Sequence, residues 1–184
     1  NGAELQAAYA HLVAQVDAMF RRNLKRYPHQ IRCGPGCTDC CQQDLNLLEL
    51  ELAPLLEAVR CLSNSERRAV LEAARSIRAG TREACALLDE QGRCRVHAAR
   101  PLICRSHGLA LLMRPVEGSG GEAELSVCPK NFSADTQVDG DCVLDLTSMQ
   151  AALVALDGMA SGGARREVLS AALLGRLAAD GGQR

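Results

Sequence analysis

Between residues 33 and 41 the chain reads C-G-P-G-C-T-D-C-C, which places the thiols of Cys33, Cys37, Cys40 and Cys41 in one short stretch. Ionised thiols are soft ligands. A tetrahedral ion needs its sulfurs about 2.3 Å from one centre, and closely spaced cysteines supply them from one turn at little entropic cost. Gly34, Pro35 and Gly36 are the residues such a turn requires. A second constellation, C-A-L-L-D-E-Q-G-R-C-R-V-H-A-A-R-P-L-I-C-R-S-H, runs from Cys85 to His107 and adds Cys85, Cys94 and Cys104, with His97 and His107 beside them; Cys128 precedes Pro129 further on.

The chemistry these residue types support is metal ligation. The expected donors are Cys33, Cys37, Cys40, Cys41, Cys85, Cys94, Cys104 and Cys128, enough for two four-thiolate sites, although the count alone does not establish two. His107, three residues past Cys104, is preferred to His97 as an imidazole ligand, and Glu51 is the carboxylate candidate, with a solvated helix face as its alternative. Neighbouring side chains point in different directions, so one mononuclear site is expected to use only one of Cys40 and Cys41. Cys61 and Cys142 lie outside the motifs and read as small buried side chains. His11 and His29 read as surface residues. Ten cysteines crowded into motifs within a helix-rich chain favour metal over a disulfide scaffold.

The elements that must position these groups are mostly helices. Tyr9, Phe20, Tyr27 and Phe132 are the only aromatic residues of the 184, so Leu, Ala and Val fill the interior. The expected fold is mainly α: a single-domain helical bundle over 1–184 with a small β-hairpin and metal-binding Cys-rich loops. Its core spans about 33–130, flanked by an N-terminal helix over 3–27 and a C-terminal helical hairpin over 144–179. Apolar residues at steps of three and four mark the first helix, and Pro28 ends it. A leucine-rich helix is expected within 45–62, where Pro54 either starts the regular part or kinks it. Ser63-Asn64-Ser65-Glu66 reads as a capping box opening the next helix, and Gly80 as its stop. A short helix is expected to carry Cys85, and Asp89 to Gly92 a turn into Cys94. Residues 108–114 and 123–127 flank Glu117-Gly118-Ser119-Gly120-Gly121 as a hairpin that returns Cys128 toward the cluster. The last residues, from Gly181, read as a frayed tail.

A formal net charge of −1 with dispersed Lys and Arg gives no electrostatic reason to expect a nucleic-acid partner. No apolar run approaches the roughly 20 residues that span a bilayer, and the opening N-G-A-E-L-Q has no signal-peptide pattern. A cytoplasmic protein without a membrane partner is expected.

At Cys37-x2-Cys40-Cys41, Cys85-x-Leu-Leu-Asp and Gly92-Arg-Cys94-x-Val-His97-x-x-Arg100-Pro101-x-x-Cys104-Arg105 the chain resembles the YkgJ-type cysteine-cluster family, also called CxxCxxCC, over roughly residues 33 to 130. Cys33 stands four residues before Cys37, where the usual spacing is three. The resemblance implies a zinc- or iron-chelating protein with the clustered cysteines as ligands. Three functions follow as expectations. One is a protein holding an iron-sulfur cluster or thiolate-bound iron, with a redox role. Another is a structural zinc site in an interaction protein with a protein or peptide partner. The third is a metal-dependent enzyme modifying a peptide or protein substrate. The spacing does not separate iron from zinc.

Overall fold

The computed structural model describes residues 2–34, 36–115, 120–132 and 136–177, with Ser161 described by its backbone alone. In chain order the elements are α1 (Gly2–Arg26), β1 (Asn46–Leu47), α2 (Glu49–Arg60), α3 (Asn64–Arg78), α4 (Leu102–Ser106), β2 (Ala110–Met113), β3 (Glu124–Ser126), β4 (Val143–Asp145), α5 (Leu146–Ser161), β5 (Glu167–Val168) and α6 (Leu169–Leu177). The fold is mainly α, as composition and periodicity indicate. Among the described residues no helix is long and apolar enough to cross a membrane. Pro35, the first three residues of the expected hairpin loop and the C-terminal tail lie outside the described residues.

Local signals act where the sequence puts them. Ser63 caps α3: its Oγ accepts from Glu66 N at 3.3 Å, while the Glu66 carboxylate accepts from Ser63 N at 3.1 Å. At the other end Gly80 adopts φ +73°, with Thr81 N donating to Ser76 O and Gly80 N to Ile77 O, both at 2.9 Å. This is the Schellman arrangement, whose left-handed residue favours glycine.

The Ser63 contacts, its side-chain hydrogen bond foremost, hold the Glu66 carboxyl below the usual carboxylate range. A lowered folded-state pKa contributes stability that is present above the unfolded value and lost as pH falls through the folded one. Ser63→Ala should therefore cost about 1 kcal/mol near neutrality, from loss of the cap on Glu66 N. In denaturant unfolding that difference should narrow once the pH drops below about 4.3, the ordinary Glu value. A penalty that is unchanged in acid would mean that Glu66 plays no part in the cap.

α2 begins before Pro54 and contains it. Its first turn has no free choice of side chain: Glu51, only 2 % exposed, accepts from Leu48 N at 3.3 Å and so closes the helix start. Because α2 ends at Arg60, Cys61 occupies the C-cap and is exposed, where a buried side chain was expected. Cys142 is buried as expected, and His11 and His29 are exposed.

The chain divides into two compact units. The first comprises Asn1–Gly34 with Leu102–Ala160. In it α4 packs on α1, and the side chain of Arg105, 9 % exposed, fixes that packing by donating to both carboxylate oxygens of Asp17 at 2.9 and 2.7 Å. The expected hairpin forms, with Leu111 opposite Ser126 and Met113 opposite Glu124. It gains a third strand, β4, parallel to β2, with Ala110 opposite Val143. Asn23 of α1, fully buried, donates from Nδ2 to Met19 O and Cys142 O at 3.0 Å each, which ties α1 to the start of β4.

The second unit comprises Pro35–Pro101 with Ser161–Arg184. There α6 packs on α2 and α3. Leu52, Leu55, Val59, Val70 and Leu173 are each at most 1 % exposed, and burying a side chain of this size is worth roughly 1.5–3 kcal/mol. β1 and β5 pair antiparallel, Asn46 opposite Val168. Asp44 fastens the start of α6 by accepting from Ser170 N at 3.1 Å and from the Ser170 hydroxyl.

Candidate metal centre

Two stretches of the second unit carry the cysteines of the motifs. Asp39–Cys41 is a single 3-10 turn, in which Cys40 Sγ and Cys41 Sγ lie 4.0 Å apart. Two sulfurs held about 2.3 Å from one tetrahedral ion must lie about 3.8 Å from each other. The pair therefore already has close to the separation of two ligands of one ion. Adjacent side chains diverge along a helix or strand, yet these two sulfurs lie close to each other.

The second stretch contains no helix at Cys85. Instead Cys85 N donates to Cys41 O at 2.8 Å, so the local chain is committed to a partner far away in sequence and cannot wind on itself. The expected turn forms at Asp89–Gly92: the Asp89 carboxylate accepts from Gln91 N at 3.0 Å and Arg93 N at 2.7 Å. Beyond it Cys94 pairs with Leu88 in an isolated β-bridge. Gly92, at φ +72°, lies so near Thr38 that a Cβ there would fall 2.9 Å from Thr38 Cγ2. The turn of the second motif is thus seated on the loop of the first.

The electrostatics of this set are those of thiols withdrawn from water. Cys40 is pushed up by its hydrogen bond to Cys41 and then by burial. Burial raises Cys85 to about 11, with Cys94 and Asp44 adding negative charge nearby, and burial likewise raises Cys94. Arg100 supplies the opposing positive charge at both Cys40 and Cys94. Arg82 braces the Cys85 segment by donating to Ala84 O at 2.8 Å and Cys85 O at 3.2 Å. Cys37 is half-buried in the same unit. Glu51 caps α2 as described, and His97 is exposed on a 3-10 turn.

Cys33, Cys104, Cys128 and His107 belong to the first unit, so the boundary between units falls inside the nine-residue stretch that carries four of the thiols. Cys33 is engaged by a residue that the sequence did not single out. Asn131, fully buried, donates from Nδ2 to Cys33 Sγ at 3.2 Å and to Gly108 O at 2.8 Å, and accepts Arg32 N at 2.7 Å. Its own N–H donates to Cys128 O at 2.8 Å. The only signal for it in the sequence is its place three residues after Cys128.

None of the ten cysteines is disulfide-bonded. Among the described residues no three Cys, His, Asp or Glu side chains are grouped so as to hold a metal ion. The fit to iron or zinc is one of donor chemistry, sulfur with one imidazole, and of the ligand-like spacing of Cys40 and Cys41. Residues 32–143 match the model of a family, CxxCxxCC, described as a "putative zinc- or iron-chelating domain". No curated protein and no solved structure matches the chain.

Proposed function

The chain belongs to the CxxCxxCC family, and from that premise we propose that it chelates iron or zinc through five thiols of its second unit: Cys37, Cys40, Cys41, Cys85 and Cys94. The observation that carries this reading is the 4.0 Å separation of Cys40 and Cys41, close to one edge of a tetrahedral thiolate site. The backbone bond from Cys85 N to Cys41 O holds the second motif against the first. Gly92 lets the two loops touch without a side chain between them. Cys85, 9 % exposed, keeps its side of the site dry.

An all-sulfur donor set suits iron, alone or as an iron-sulfur cluster, as well as zinc. Iron held this way would supply one-electron chemistry, and zinc would supply a structural brace. The test is anaerobic purification followed by elemental analysis and a visible spectrum on one sample. Stoichiometric metal is the expected result, with sulfur-to-iron absorption if the metal is iron and a colourless protein if it is zinc. Metal-free protein that takes up neither ion on titration overturns the proposal.

A further inference from the structure

We propose that the second unit binds a small organic carboxylate in a cavity whose charged lining is Arg165, Arg166 and Arg176 with Glu49 and Glu167. The inference stands apart from the thiols and does not depend on which metal they hold. The cavity measures about 510 Å³, within the roughly 300–1,000 Å³ of small-molecule sites.

Three element ends converge to form it. The antiparallel pairing of β1 with β5 brings the segment that enters β5 alongside the start of α2. Arg166 fastens that segment to β1, its Nη1 donating to Asn46 O at 3.1 Å. From the last turn of α6, Arg176 Nη1 donates to both carboxylate oxygens of Glu49, in the first turn of α2, at 2.9 and 2.7 Å. Its Nη2 donates to Glu167 of β5. One guanidinium thus holds a carboxylate from each of two other elements, which fixes that wall of the cavity.

The ion pairs decide the sign of the ligand. The lining sets three guanidinium groups against two carboxylates, a formal excess of one positive charge. Glu49 and Glu167 are both engaged by Arg176. Arg165 is exposed, and no carboxylate among the described residues pairs with it. The unmatched charge is therefore that of Arg165, beside the anchored Arg166. A carboxylate answers this arrangement: its single negative charge balances the cavity, and its two oxygens match the planar fork of a guanidinium. A phosphate dianion would exceed that balance and meet two glutamates. The faces of the guanidinium planes and the aliphatic stems of the arginines suit a flat apolar body behind the carboxylate.

The test uses the full chain, reduced and at fixed ionic strength, with benzoate as the probe and benzamide as its uncharged counterpart. Saturation-transfer NMR follows each ligand. Benzoate should bind saturably and benzamide at least about tenfold more weakly, the loss expected when a charge-assisted hydrogen bond is removed. That comparison needs no variant. Arg165→Ala with Arg166→Ala, both exposed side chains, should weaken benzoate by a similar factor, with far-UV circular dichroism checking that the variant is folded. Arg68→Ala, which removes an exposed arginine of α3 outside the cavity lining, should leave benzoate binding unchanged. Absence of saturable benzoate binding, equal binding of benzamide, full affinity in the folded double variant, or an equal loss in Arg68→Ala overturns the inference. Displacement of benzoate by inorganic phosphate at concentrations below those at which benzoate itself saturates also overturns it, because the site would then be one for phosphate.

Discussion

Cys40→Ser and Cys41→Ser are each expected to weaken zinc binding at the second unit's site by at least about a hundredfold, since losing a hydrogen bond to a ligand already costs 10–100-fold and losing the ligand costs more. Competition against a chromophoric chelator under reducing conditions measures it. The prediction separates two arrangements that the sequence alone leaves open. If the two sulfurs, 4.0 Å apart, share an ion, both substitutions are damaging. If only one binds, the other should behave like the wild type, and the shared edge on which the proposed function rests would be lost.

Gly108→Ala should lower stability by about 3 kcal/mol, a fall in Tm of roughly 10 °C for a chain of this size. Two causes act together. An alanine at φ +94° is strained whatever space is available, and its Cβ would fall 2.6 Å from Cys33 Sγ. They can be parted with a double-mutant cycle, because Cys33→Ala removes the sulfur and leaves the backbone strain. Partial rescue is expected in the double variant. Additive losses in the two variants would mean that Gly108 and Cys33 do not press on each other.

The parts of the fold legible in the sequence are those set by neighbours in the chain. Ser63 to Glu66 and Gly80 are read correctly because a cap is decided within a single turn, and the β2–β3 pairing because its strands are separated by a loop-forming run. What stayed hidden depends on distant partners. Cys85 sits in sequence that suits a short helix, yet its N–H is taken by Cys41 O. β4 joins β2 across some thirty residues with no local signal for a parallel partner. Nothing in C-P-K-N announces that Asn131 will be buried against Cys33, since an asparagine that binds sulfur has no sequence pattern of its own. Among the candidate donors, residue type and spacing named the cysteines, but only the fold reveals which of them share a unit.

The two compact units alternate along the chain, with residues 1–34 and 102–160 in one and 35–101 and 161–184 in the other. A ribosome delivers residues in order, so α2 and α3 leave it well before α6, the helix that packs on both. The six thiols of the second unit also emerge ahead of that helix, and α1 must wait for α4. The nascent chain therefore presents reduced cysteines and unpaired apolar helix faces together, an interval during which oxidation and aggregation compete with folding. An ion gripped early by Cys40 and Cys41 would protect those thiols through that interval and hold the first loop in shape until the rest of the unit arrives.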